Sequence, residues 1–141
     1  MVEGTVVTCP SCGKKARVRP AAPGAPKCPG CGTRLPWLVA SDELSFEREV
    51  TGPVPALVDF WAPWCGPCHA VAPVLERLAT RHAGALKVVK VNVDQCPGLA
   101  ARYGASSIPL LVLLRDGTEL ERIVGAQPLP ALEAFLAPHL G

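Results

Sequence analysis

Six of the seven cysteines in this 141-residue chain fall into three Cys-x-x-Cys pairs, Cys9/Cys12, Cys28/Cys31 and Cys65/Cys68. Two sulfurs at that spacing converge across one turn of backbone, a geometry that serves metal ligation or thiol redox chemistry. A framework of structural disulfides is a poorer account. The cysteine count is odd, and the N-terminus has Glu3 early and no Lys/Arg cluster before an apolar stretch, so we read no export signal there. The three pairs differ in their surroundings, and the difference assigns their roles.

The first two pairs sit in polar knuckles, Cys9-Pro10-Ser11-Cys12-Gly13 and Cys28-Pro29-Gly30-Cys31-Gly32, separated by a stretch containing Pro20, Pro23 and Pro26. The pattern matches a tetrahedral Zn²⁺ site with Cys9, Cys12, Cys28 and Cys31 as ligands and with Gly13 and Gly32 permitting the bends. Two disulfides, or redox-labile thiols, are the alternative. A metal explains how a segment with so little apolar material folds. Residues 1–34 hold six Lys/Arg and one acid, against eight and eleven in residues 35–141, which gives +5 and −3 and sums to the chain's +2. Four thiolates on one zinc carry a net −2, so Lys14, Lys15, Arg17 and Arg19 balance the site in part. The basic surface therefore does not call for nucleic acid, and we expect no such partner.

From Leu35 the texture changes, and we expect a zinc-ribbon-like module over 1–34 and an α/β domain with a mixed sheet over 35–141. Trp37 to Val39 reads as a short strand, and Ser41 or Asp42 as the cap of a helix through Phe46 to about Val50. Val54 to Trp61 is nearly all apolar with Asp59 inside it, as in a central strand covered on both faces. Val71, Val74, Leu75 and Leu78 then recur at helical spacing, with Pro73 expected to kink the helix. Leu86 to Val93 reads as a second buried strand and Leu99 to Tyr103 as a short helix. Leu110 to Leu114 and Leu120 to Val124 form a hairpin around Asp116-Gly117, and Leu129 to Leu140 a closing helix.

The third pair thus lies at a strand-to-helix junction. A thiol attacks a disulfide as its thiolate, so a redox site must lower one cysteine's pKa and hold a second close by. Cys65 at the helix N-terminus meets unpaired N–H groups and the positive end of the macrodipole, which casts it as the attacker and Cys68 as the resolver. Cys68 is buried and needs a base. Asp59 is the only acid in the core strand and fills that role, with Lys90 on the adjacent strand tuning it. A further metal knuckle is the bland alternative, but no fourth Cys-x-x-Cys exists to complete it.

Val58-Asp59-Phe60-Trp61-Ala62-Pro63-Trp64-Cys65-Gly66-Pro67-Cys68 resembles the active-site segment of thioredoxins. The likeness runs on through Lys90-Val91-Asn92-Val93-Asp94, Tyr103-Gly104, Ser107-Ile108-Pro109, Asp116-Gly117 and Val124-Gly125-Ala126, covering about 35–141. It implies a thioredoxin fold. It implies also that Pro109 is a cis-proline facing the dithiol, that Ile108 offers backbone hydrogen bonds to an extended substrate, and that Trp64, Gly66, Pro67 and Gly125 shape the docking surface. An N-terminal four-cysteine module ahead of such a domain is similar to the thioredoxin-2 type. Gly-Pro between the cysteines resembles the reducing members rather than oxidases and isomerases. Two departures stand out: His69 follows the dithiol where Lys or Arg is usual, and Leu110 follows Pro109 where Thr is usual.

The resulting expectation is a protein-disulfide reductant that cycles with an NADPH-dependent thioredoxin reductase and acts on disulfide-containing client proteins. It would carry zinc, a redox-active Cys65–Cys68 disulfide and no tightly bound organic cofactor. A zinc-dependent redox sensor or partner-binding module is the second reading. The longest continuous apolar run, Ile108 to Leu114, falls far short of the roughly 20 residues a membrane span needs. With no export signal read, we expect a cytoplasmic protein. Cys96 is expected to be a half-buried structural thiol, His69 to modulate Cys65 from its nearness in sequence, and His82 and His139 to be ordinary surface residues.

Overall fold

A computed structural model describes residues 5–18 and 24–140. Glu3, Arg19, Pro20 and Pro23, to which the sequence reading assigned parts, lie outside the described residues. The larger unit is a five-stranded mixed sheet. Its strands are β3 (Trp37–Ser41), β4 (Ala56–Trp61), β5 (Lys87–Asn92), β6 (Leu110–Arg115) and β7 (Thr118–Val124), in the spatial order β3-β5-β4-β6-β7. β3, β5 and β4 run parallel, while β6 and β7 are antiparallel to their neighbours. β4 is central, which accounts for its unbroken burial from Ala56 to Phe60, apolar but for Asp59.

Helices cover both faces. α1 (Phe46–Val50) and α3 (Pro97–Tyr103) close one core around Phe60, Val89, Val91 and Val112. On the other face, α2 (Gly66–Arg81) and α4 (Leu129–Leu140) close a second core around Leu57, Val88, Leu111 and Leu113. α2 runs through Pro73 without a break. α1 is shorter than expected: the Asp42 carboxylate accepts the N–H groups of Leu44 and Ser45 at 3.0 and 2.8 Å, so it organises the turn before the helix rather than the helix itself. Lys87 and Glu49 form a buried ion pair at 2.5 Å with the ammonium over the Trp37 ring, tying α1 to the start of β5. No helix among the described residues is long and apolar enough to cross a membrane.

The first module holds two strands that the sequence reading did not foresee, β1 (Thr5–Thr8) and β2 (Lys15–Val18), paired antiparallel. Cys9, Cys28 and Leu35 form a small cluster of their own, with Val7 and Ala16 against it. Val18 instead enters the larger core beside Trp37 and Val39. Burying that one side chain contributes roughly 1.5–3 kcal/mol to holding the two units together.

Candidate functional site

The two knuckles have the same backbone. Cys9 N–H donates to Lys14 C=O and Gly13 N–H to Cys9 C=O at 2.9 and 3.0 Å; Cys28 N–H donates to Thr33 and Gly32 N–H to Cys28, both at 2.8 Å. Each turn closes on a glycine at positive φ, +77° at Gly13 and +79° at Gly32, a region that side chains rarely adopt. The pairs face each other, with Cys9 Sγ 3.6 Å from Cys31 Sγ and Cys12 Sγ 3.6 Å from Cys28 Sγ. All four sulfurs lie within 4.8 Å of one another.

A tetrahedron with Zn–S bonds of about 2.3 Å has sulfur–sulfur edges of about 3.8 Å, so the arrangement fits a zinc ion. Backbone N–H groups of Cys12 and Gly30 point at Cys9 Sγ and Cys28 Sγ, at 3.5 and 3.4 Å, as thiolate ligands require. The hydroxyl and N–H of Thr33 hold the Cys31 thiol down to about 6. Cys12, favoured as thiolate by the Lys14 N–H but crowded by the sulfurs of Cys28 and Cys31, is pushed up to about 11. Such a set shares its protons unevenly until a cation displaces them. The N-terminal cysteines therefore fit a zinc-binding module.

The third pair is built differently. Cys65 and Cys68 are joined by a disulfide and are 5% and 3% exposed, so only an edge of the bond is open to a partner. β4 ends at Trp61, and a short loop delivers Cys65 as the N-cap of α2, with extended φ/ψ of −89° and 107° and with Pro67 in the first turn. The Cys68 N–H donates to Cys65 Sγ at 3.2 Å. The Cys65 sulfur thus already occupies the position where an anion is stabilised.

Ile108–Pro109 is a cis peptide, and the Ile108 carbonyl lies 3.8 Å from Cys65 Sγ. Ile108 packs with Val93 and Trp61 against the cluster of Ala62, Cys65 and Cys68. The Gly125 N–H donates to the Pro109 carbonyl at 2.8 Å, which brings the end of β7 beside this proline. Gly66, Pro67 and Trp64 form the exposed rim, Trp64 at 70%.

Asp59 lies fully buried in β4, and neither carboxylate oxygen has a hydrogen-bond partner among the described residues. Burial pushes its carboxyl up to about 6, with the Lys90 cation pulling it partly back. Lys90 stands opposite Asp59 in the β4–β5 register, its ammonium 5.0 Å from the Trp61 ring centre.

Two contacts at the rim were not anticipated. Asp94, just past β5, accepts the Trp64 indole N–H at 3.0 and 3.3 Å and so sets the plane of the exposed ring. The only sequence signal was that an indole N–H needs an acceptor. His69 Nε2 lies 2.7 Å from the Pro63 carbonyl. Cys96 proves fully rather than half buried, with burial pushing its thiol up. His82 and His139 are paired, with Glu133 and Glu121, each at 2.5 Å.

A mixed sheet with a buried strand feeding a dithiol N-cap, opposite a cis-proline, defines a thiol-disulfide exchange domain. The thioredoxin family model matches residues 37–138. Thioredoxin 1 of a Nostoc species is 48% identical over 99 residues, covering 70% of this chain and 92% of that protein. The chloroplastic M-type thioredoxin of Triticum aestivum is 38% identical over 136 residues, covering 96% of this chain and 77% of the other. A mutant thioredoxin from Halobacterium salinarum superposes with a TM-score of 0.69 at 32% identity, covering 74% of this chain and 92% of that one. The chain belongs to the thioredoxin family. It is a thiol-disulfide oxidoreductase with a thioredoxin fold, preceded by a cysteine cluster fit for zinc.

Proposed function

We propose that the protein reduces disulfides in client proteins through Cys65 and Cys68. The observation that carries this reading is the Cys65–Cys68 disulfide at the N-terminus of α2, with the Cys68 N–H aimed at Cys65 Sγ. The Cys65 thiolate attacks a client disulfide, forming a mixed disulfide and releasing one client thiolate. Cys68 then loses its proton to Asp59 and attacks Cys65 Sγ, which closes the internal disulfide and releases the second client sulfur. Two electrons pass to the client. An NADPH-dependent thioredoxin reductase returns them, and the cycle runs in the cytoplasm.

Lowering the Cys65 pKa from about 8.5 to about 7, the figure generally quoted for thioredoxin, favours the thiolate by roughly 2 kcal/mol, within reach of a helix terminus and its N–H donors. Asp59 suits a general base because its carboxyl is held near neutrality, and Lys90 limits how far it rises. Ile108, Pro109 and Gly125 on one side and Trp64, Gly66 and Pro67 on the other form the walls against which an extended client segment docks. Residues 1–34 form the module, in which Cys9, Cys12, Cys28 and Cys31 would hold one zinc. The metal, when bound, cross-links the knuckles. Residues 35–141 form the catalytic domain.

The test is insulin reduction by the reduced protein beside Cys65→Ser and Cys68→Ser, with zinc measured by mass spectrometry on the same samples. We expect both variants to fall to background while each chain keeps one zinc. Turnover that persists without Cys65, or zinc that leaves with either cysteine, would show the division of the cysteines to be wrong.

A further inference from the structure

The loop from Ala62 to Trp64 carries no regular structure, yet it sets the conformation in which Cys65 caps α2. Its own backbone offers one tie, from Cys65 N–H to the Ala62 carbonyl at 3.1 Å. Asp94 holds the Trp64 ring from outside the loop, and His69 supplies two more ties. Its backbone N–H donates to the Cys65 carbonyl at 3.3 Å, as the first turn of a helix requires, and its ring reaches back to the Pro63 carbonyl at 2.7 Å. A carbonyl only accepts, so the proton of this bond sits on Nε2 and the imidazole donates. The ring stands edge-on to Trp61, centroids 6.3 Å apart at 76°, which limits the rotamers open to it. His69 therefore ties two carbonyls of this segment, that of Pro63, two residues before Cys65, and that of Cys65 itself, without a hydrogen bond to either sulfur.

We propose that His69 is a positioning residue for the dithiol: by fixing the Pro63 carbonyl it keeps Cys65 in the N-cap conformation in which its sulfur accepts the Cys68 N–H. This rests on the reading of Cys65 as the attacking thiol. The bond involves no sulfur atom, so it survives reduction of the disulfide, and the thiolate stays stabilised in the state that must attack. An imidazole reaches the carbonyl with two side-chain torsions to fix, where the longer, freer side chain of Lys or Arg would lose more conformational freedom in making the same bond.

The experiment reads the ionisation of Cys65 in the reduced full-length protein by following iodoacetamide labelling of the Cys65 peptide against pH, with insulin turnover measured alongside. His69→Ala, at an exposed site where folding is not at risk, should raise the Cys65 pKa and slow labelling and turnover at neutral pH by roughly three- to tenfold, the size of one hydrogen bond. His69→Gln, whose amide N–H can donate to the same carbonyl, should recover most of the loss. A titration of His69→Ala that superposes on wild type overturns the proposal, and so does His69→Gln falling as far as His69→Ala, because then the bond to Pro63 is not what matters. Wild-type protein that leaves insulin intact defeats the reductant reading and this one together. Active wild type with an indifferent His69→Ala defeats only this one.

Discussion

Cys9-Pro10-Ser11-Cys12 and Cys65-Gly66-Pro67-Cys68 share a spacing, and the chain sends them to opposite fates. In the knuckles the backbone doubles back through a glycine at positive φ, and each sulfur finds its nearest partner in the other knuckle, 3.6 Å away. After Cys65 the backbone runs straight into α2, and the two sulfurs bond to each other. A turn brings two pairs face to face and builds a ligand cage. A helix isolates one pair from other sulfur and sets it against a dipole. The residues that follow a Cys-x-x-Cys thus decide its chemistry more than those inside it.

The sharpest way to break this comparison is to remove one ligand. Cys12→Ser should take zinc content from one per chain to near none, since structural zinc binding in such modules is worth on the order of 10 kcal/mol. Amide exchange in β1 and β2 should lose its protection. Insulin turnover at Cys65 should largely persist, because the domain has two apolar cores of its own. Turnover lost in step with zinc would mean that the two regions are one functional unit.

A smaller effect separates the regions by their response to pH. Asp59 gives up its proton near pH 6 in the folded chain against an ordinary value of 3.8. Between those values the folded state holds the extra proton, so this group's stabilising contribution is intact below about pH 4 and is lost as pH rises through about 6. Its size is on the order of 3 kcal/mol. Asp59→Asn should therefore be more stable than wild type at pH 7, by roughly 1–3 kcal/mol in urea unfolding, and no more stable at pH 4. The same variant should accumulate mixed disulfide at neutral pH, because Cys68 has lost its base. Equal stabilities at both pH values would remove Asp59 from the mechanism.

The comparison also shows what was legible. β4, β5 and the β6–β7 hairpin were readable because their apolar runs and the Asp116-Gly117 turn are local features. The parallel crossover put Lys90 on the strand next to Asp59, but the register that sets the two opposite each other was not read. β1 and β2 were not readable: four residues each, β2 with one fully buried position, they are held by knuckles and a neighbouring core rather than by alternation. The contacts of Asp94 and His69 escaped because their partners, Trp64 and Pro63, are met across a loop whose path the pattern of apolar residues does not encode. Asp42 carried a true capping signal, spent one turn earlier than expected.

The smallest effect lies on the seam between the regions. Arg34, at the end of the module and bridged to Lys27, lays its side chain over Gly84, in the loop between α2 and β5. Gly84 has φ +88°, and a Cβ there would stand 2.4 Å from Arg34 Cδ. In Gly84→Ala the flexible guanidinium arm swings away, but the backbone stays in a left-handed conformation that costs a side chain about 1–2 kcal/mol. Arg34→Ala removes the same contact without that strain. If the seam is held by this contact, both variants should loosen amide exchange in the module to a similar degree, and Gly84→Ala alone should also lower the stability of the domain by about 1–2 kcal/mol. Module exchange unchanged in both variants would assign the seam to Val18 and its neighbours in the larger core, leaving apolar contact rather than the arginine arm as the link between the metal-fit module and the dithiol domain.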